Sequence, residues 1–373
     1  MHNDDMAAKG AADMVTRSTQ FSAEIVEELP HALVVDAYGV MLGKHSERLT
    51  IRKKDELLQE VPLLDLEQVL ILSNGVALSS DAIKECALRG IPIHFLEHNG
   101  EPYATMLSPN LIGTVQTRRE QLLAFTDTRS ITLAKGFAGG KIRNQIMLLR
   151  YMAKNRKDRQ PELFESVQVA IGEMNDLLLA LLALEGACIN DIRPQLFSCE
   201  GRAAERYWDA AGLLLHPDAG WLGRQGRGAQ DLINSLLNYG YGVLSAHVQR
   251  AIALAGLDPF GGYIHVDRPG KASLVLDLME EFRQMVVDRT VFAMLNLGMD
   301  LQLDEEGRLT LPCRRLLIEK LQERLETPEP YGQATASRRD RRKLKSIIVA
   351  QARHVAAYVR GQVESYEPYA GRW

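Results

Sequence analysis

The sequence predicts an α+β fold, with an N-terminal β-sandwich over residues 29–107 followed by a larger all-α domain over 117–373. Three observations point there. Up to Leu107 the apolar runs are short and divided by turn signals. After Ser108-Pro109-Asn110 the apolar spacing changes to three and four residues. The chain has 373 residues, 46% of them hydrophobic and 25% charged, a globular composition long enough for two domains.

The elements follow in order. Residues 1–28 read as a mobile leader. They carry Asp4, Asp5 and Asp13 and no apolar run behind a basic start, so they are not a secretory signal. Extended segments are expected at 32–37 (ALVVDA), 48–52, 57–61, 68–73 (QVLILS), 92–96 and 102–107, rich in β-branched and aromatic residues. Tyr38-Gly39, Ser73-Asn74-Gly75 and Asn99-Gly100 supply turns. One helix interrupts them, capped by Ser79 or Ser80 and stopped at Gly90. Strands in sequence without regular helical crossovers predict mostly antiparallel pairing. Residues 108–116 are the linker.

Beyond it, three sets of apolar residues mark amphipathic helices. They are Ile142, Ile146, Leu149 and Met152; Ala203, Tyr207, Ala210 and Ala211; and Leu274, Leu278, Met279, Phe282 and Met285. Residues 316–325 and 346–363 continue the pattern, and 327–336, with two prolines and Gly332, reads as a loop.

Several function classes drop out. No run approaches about 18 apolar residues, so no membrane partner is expected. Cys86, Cys188, Cys199 and Cys313 form no CxxC pair, which argues against structural zinc and fits buried thiols in a reducing cytoplasm. The stretch 136–142 (GFAGGKI) fails as a P-loop, because Lys135 stands at the first glycine position and Ile142 at the magnesium-binding Ser/Thr. Residues 223–228 (GRQGRG) follow no strand, and no GxSxG or HExxH occurs. His94 and His98, with no third ligand nearby, are a poor metal site.

Net charge is −4, but it is unevenly placed. Residues 114–160 hold eleven Lys/Arg against three Asp/Glu, and 337–360 hold eight against one. Two basic islands on an acidic chain can attract a polyanion. They can equally be solvated helix faces.

The chemistry-bearing candidates lie in two stretches. In 256–283 (GLDPFGGYIHVDRPGKASLVLDLMEEFR), His265 ends an apolar run, and Ser273 can cap the following helix. Asp277 and Glu280 share a face of that helix at i,i+3, with Glu281 close by, at the edge of an apolar stripe where a carboxylate needs a partner. In 199–215, Glu200 is placed at a helix start beside Gly201, where the helix dipole alone also favours a glutamate. If Glu200, His265 and Glu280 converge, one imidazole and two carboxylates suit manganese or magnesium.

The 256–283 stretch closely resembles the signature of the CRISPR-associated integrase and endonuclease family, the catalytic subunit of spacer acquisition. Further matching pieces are 64–103, 141–145 (KIRNQ), 199–208 (CEGRAAERYW), 233–244 (INSLLNYGYGVL) and 365–373 (SYEPYAGRW). The resemblance runs from about residue 30 to the C-terminus. It implies a β-sandwich joined to a helical catalytic domain, homodimerisation through the β-domains, and a complex with a small "Cas-two" subunit spanned by double-stranded DNA. It implies magnesium or manganese held by Glu200, His265 and Glu280, with Asp277 a further catalytic position and Glu280 preferred over Glu281. Glu185-Gly186 lacks the rest of the pattern and receives no role. The expected reaction is metal-assisted transesterification, inserting captured DNA fragments into the CRISPR array, with cleavage or disintegration of branched DNA at the same site. Arg118, Arg119, Lys141 and Arg143 from the first island, and Arg338, Arg339, Arg341 and Arg342 from the second, would track DNA backbones. The alternatives are a non-catalytic DNA-binding scaffold and a metal phosphodiesterase for small nucleotides.

Overall fold

The computed structural model describes residues 25–29, 31–64, 66–108, 115–215, 221, 223–226, 228–332 and 341–372. It is a mixed α+β structure, with strands at the N-terminus and a helical C-terminal part. The leader lies outside the described residues up to 24. Its end, expected at 28, is instead strand: β1 (Ile25–Leu29) pairs antiparallel with β2 (Ala32–Asp36).

Two sheets follow. The first has the order β1-β2-β6-β8-β9, with β6 at Gln68–Ile71, β8 at Ile93–Leu96 and β9 at Pro102–Met106. The second has the order β5-β4-β3-β7, built from β3 (Met41–His45), β4 (Arg48–Lys53), β5 (Glu56–Pro62) and β7 (Ala77–Leu78). The expectation of mostly antiparallel pairing fails at the centre of the first sheet, where β2–β6 and β6–β8 are parallel. The reason is connectivity. The chain leaves β2 to build β3–β5 before returning as β6, and α1 (Ser80–Arg89) carries it from β6 to β8. Ser79 caps α1 and Gly90 ends it in the left-handed conformation, as the sequence predicts.

The parallel strands are buried on both faces, which is why they read as continuous apolar runs rather than alternations. Leu33, Val35, Val69, Ile71 and Ile93 join Leu42, Leu49, Ile51 and Cys86 in one core shared by both sheets and α1. The opposite face, with Ala32, Val34, Leu70, Leu72 and Leu96, belongs to the core of the helical part. Polar contacts reinforce this seam, among them Gln68 with His247 at 2.8 Å and Lys345 with Glu67 at 2.7 Å. The turn at Gly100 (φ +84°) sits so close to Gly242 that a Cβ on Gly242 would fall 1.7 Å from the Gly100 carbonyl oxygen.

The helical part comprises α2 (Val115–Ala124), α3 (Thr128–Ala153), α4 (Pro161–Leu182), α5 (Ile189–Leu214), α6 (Leu232–Leu254), α7 (Ser273–Met279), α8 (Arg289–Asn296), α9 (Leu311–Glu326) and α10 (Leu344–Val359). The expected linker 108–116 therefore ends inside α2, and 109–114 lie outside the described residues. Three details depart from sequence expectation. Glu200 lies in the interior of α5, which begins at Ile189 and carries Pro194 within it, so the helix-start argument for Glu200 does not hold. Ser273 is the first residue of α7 rather than its cap. The expected long helix through Met285 stops at Met279 and resumes as a π-helical segment, Arg283–Asp288. The part is also not purely helical: β10 (Pro328–Pro330) pairs with β11 (Arg341–Lys343) where a loop was expected. Among the described residues, no helix is long and apolar enough to cross a membrane.

Candidate metal centre

Glu200 and Glu280 reach one another through a lysine. Lys141, on α3, places its ammonium between the Glu200 carboxylate of α5 and Glu280 Oε2 at the end of α7, the latter at 2.9 Å. All three side chains are largely buried. On the other side of Glu280, Arg283 Nε lies 3.1 Å from Oε1. Arg283 in turn stacks over the Tyr241 ring at 4.6 Å, and the Tyr241 hydroxyl donates to Asp288 at 2.5 Å. Burial pushes the Glu280 carboxyl up, but Arg283, Lys141 and His265 outweigh it and bring its pKa down to about 2. Burial likewise pulls Lys141 down, and Glu280 and Glu200 outweigh it, so the ammonium stays charged.

His265 stands in the segment between α6 and α7, held by Asp277. Asp277 is fully buried and accepts four hydrogen bonds. They come from the backbone N–H of Tyr263 at 2.5 Å, Ile264 at 2.9 Å and His265 at 3.1 Å, and from the His265 ring Nδ1 at 2.6 Å. A carboxylate on Nδ1 fixes the proton there and leaves Nε2 as the electron-pair donor. The chain can wrap this tightly because residue 262 is glycine; a Cβ there would meet Asp277 Oδ2 at 2.9 Å and Ser273 closer still. The Phe197 ring, one turn before Glu200 on α5, meets the imidazole edge-on at 6.5 Å between centroids.

Glu281 points elsewhere. Its carboxylate accepts from Gln351 and the Tyr369 N–H, each at 2.8 Å, and from the Tyr366 hydroxyl. Asn144 donates to the Glu281 carbonyl at 2.8 Å and to the Tyr369 carbonyl at 3.0 Å. Glu281 thus fastens the C-terminal segment, and neighbouring glutamates do different work. The KIRNQ stretch is split the same way, with Lys141 facing Glu280 and Asn144 facing the C-terminal segment.

The donor set suits a hard divalent cation: two carboxylates, an imidazole oriented through Nδ1 with its far nitrogen free to donate, and a buried Glu280 Oε2 that, among the described residues, no donor but Lys141 approaches. With Lys141 between the carboxylates, no group of three His, Cys, Asp or Glu stands at ligating distance among the described residues.

The basic residues divide. Lys141, which sequence grouped with the backbone-tracking set, is turned inward; charge counting cannot tell a buried cation from a surface one. Arg118 and Arg143 are half-buried, and Arg119 is exposed. Arg341 and Arg342 are exposed on β11, Arg342 lying over the Tyr331 ring at 5.2 Å, while Arg338 and Arg339 lie outside the described residues. His94 is buried against Thr105, and burial pulls its pKa down to about 3. Sequence reasoning missed Arg283 and the Tyr241–Asp288 support behind it.

A family profile described as "CRISPR associated protein Cas1" matches residues 33–323. The "CRISPR-associated endonuclease Cas1 1" of Archaeoglobus fulgidus is 40% identical over 352 residues, covering 91% of this chain and 99% of that protein. Among solved structures, "Casposase bound to integration product" has a TM-score of 0.74 at 22% identity, with 90% of this chain and 92% of that one covered. A chain of the "Cas6-RT-Cas1--Cas2 complex" has a TM-score of 0.72 at 20% identity, covering 94% of this chain and 37% of that one. The profile spans most of the chain and carries His265, Asp277 and Glu280 within it, and the relative aligns nearly end to end: the chain belongs to the CRISPR-associated Cas1 family.

Proposed function

We propose that the chain is a metal-dependent DNA endonuclease and integrase of CRISPR adaptation, with Glu200, His265 and Glu280 as ligands of magnesium or manganese. The observation that carries this is the meeting of two carboxylates from separate helices, with an imidazole whose charge acts on Glu280 and whose donor nitrogen is set by Asp277. The relative's name supports an endonuclease, and the casposase title supports strand transfer.

A metal held by Glu200, His265 and Glu280 would supply Lewis-acid polarisation of the phosphodiester and stabilise the negative charge that develops on its oxygens. The chain's residues supply the rest. Asp277 keeps the His265 proton on Nδ1. Arg283 holds Glu280 Oε1, so that Oε2 is the oxygen presented to the site. Arg119, Arg341 and Arg342 are exposed to take DNA phosphates without reading sequence. The 3′-hydroxyl oxygen of the incoming strand forms a new P–O bond as the P–O bond to the leaving strand breaks. The nucleophile gives up its proton and the leaving oxygen gains one. With water as nucleophile, the same exchange is hydrolysis.

The reading extends to assembly. The N-terminal sheets, which share one apolar core, form a sandwich through which two copies pair; exposed Tyr38, Leu64 and Leu88 supply apolar surface for it. The fold shared with a chain of a Cas1–Cas2 complex supports a Cas2 subunit as partner, with duplex DNA spanning both.

The test is strand transfer and disintegration on branched DNA with manganese or magnesium and the partner subunit present. Wild type is compared with Glu200→Ala, His265→Ala and Glu280→Ala, each checked for folding and DNA binding. Activity lost in all three with binding retained is expected. Activity surviving in all three would move the chemistry elsewhere, and an inert wild type would favour a DNA-binding scaffold.

A further inference from the structure

Lys141 is built into the site rather than laid over it. Its helix is fixed at this level. Gly140 packs so closely that a Cβ would meet Pro368 at 2.9 Å and Glu281 Cγ at 3.2 Å, and Asn144 is bonded to two backbone carbonyls across the interface. The side chain retains rotatable bonds along its four-carbon stem. Its ammonium lies between the carboxylates of Glu200 and Glu280.

The two cations at Glu280 are not equivalent. Arg283 takes Oε1 and is itself pinned by the Tyr241 ring. Lys141 takes Oε2, the buried oxygen with no other donor among the described residues. Two carboxylates drawn into a poorly solvated site repel unless a cation lies between them.

We propose that Lys141 is the intramolecular cation that a divalent metal displaces from Glu200 and Glu280. It is a positioning residue that keeps the two carboxylates together before metal arrives and sets metal affinity by competing for the same oxygens. This rests on the metal-site reading above. It also accounts for the absence of a three-ligand cluster among the described residues: the two carboxylates are held as a pair by a cation of the chain.

The experiment is a manganese titration of the full chain without DNA, following free Mn²⁺ by electron paramagnetic resonance, together with melting curves in EDTA and in saturating Mn²⁺. The proteins are wild type, Lys141→Met, Lys141→Gln, Lys141→Arg, Glu200→Gln and Glu280→Gln. Lys141→Met keeps the length of the stem without charge and should bind Mn²⁺ roughly tenfold or more tightly. It should also melt lower in EDTA and gain more from Mn²⁺ than wild type does. Lys141→Arg, keeping the charge, should stay near wild type, and Lys141→Gln serves if the methionine variant does not fold. Unchanged or weaker Mn²⁺ binding in the neutral variants, with Glu200→Gln and Glu280→Gln both impaired, overturns the role of Lys141 alone. Wild-type Mn²⁺ binding in the two glutamine variants overturns the metal-site reading and this inference with it.

Discussion

Asp277 accepts two hydrogen bonds from one residue, His265: its backbone N–H at 3.1 Å and its ring Nδ1 at 2.6 Å. The same carboxylate therefore fixes where the histidine stands and which nitrogen carries its proton. The Asp277 position, whose part in the site sequence alone left open, has a geometric role: it orients the His265 imidazole.

Asp277→Asn should separate this role from direct ligation. The amide keeps one accepting oxygen and its NH₂ cannot accept, so either the Tyr263 and Ile264 N–H groups or the His265 N–H and Nδ1 lose their acceptor, and the imidazole is held less firmly. Mn²⁺ affinity should fall by about 10–100-fold, as for removal of a group that orients a metal-ligating histidine. Titration of the variant checks it, and affinity equal to wild type would sink the assignment.

Glu281→Ala should act on stability before chemistry. It strips the acceptor from Gln351, Tyr366 and the Tyr369 N–H at once, inside a buried site. A loss of about 3 kcal/mol or more is expected, in the range for breaking a buried hydrogen-bond network. Hydrogen exchange should show residues 365–372 opening while β2 and β6 stay protected. Protection unchanged at the C-terminal segment would contradict the clamp.

Acid should weaken the seam between the strands and the helices. His94 and His247 are each pulled to about 3 by burial, so the unfolded chain, near 6.5, takes up protons first. Their contribution is complete above about pH 6.5 and is lost as pH falls toward 3, at up to about 1.4 kcal/mol per pH unit per histidine. Urea unfolding from pH 7 to 5 should show this slope, and His247→Gln should flatten it. A slope unchanged by that substitution would mean His247 is not its source.

Arg341→Ala with Arg342→Ala should weaken duplex binding uniformly across sequences. The dependence of log affinity on log salt should flatten by about 0.9 for each phosphate that is no longer neutralised. Affinity and salt slope equal to wild type would remove β11 from the DNA surface.

How much was legible in the sequence can be argued residue by residue. Runs such as ALVVDA and QVLILS announce strands because both faces of β2 and β6 are buried. β3 was missed because Met41, Gly43, Lys44 and His45 show no such run. The parallel order was hidden because it depends on where the chain goes between β2 and β6, not on the strands themselves. Pro194 obscured the true start of α5, and the break after Met279 has no local breaker residue to mark it. At the site, Glu200, His265, Asp277 and Glu280 were candidates from their local setting, but only resemblance joined them into one site, since spacing cannot bring residue 200 to residue 280. Lys141 was read as surface because its partners lie 59 and 139 positions away in the chain.

The five-stranded sheet is shared between two cores, and this has a consequence for synthesis. Strands β1–β9 leave the ribosome before any of α3, α6 or α10 exists. During that interval Ala32, Val34, Leu70, Leu72 and Leu96 present an apolar face with nothing to cover it. A fragment ended near residue 108 would keep that face permanently and should precipitate or bind chaperones. What looks in the sequence like an independent N-terminal domain is thus a half-finished layer, and the helical part that holds Lys141, Glu200 and Glu280 also completes it.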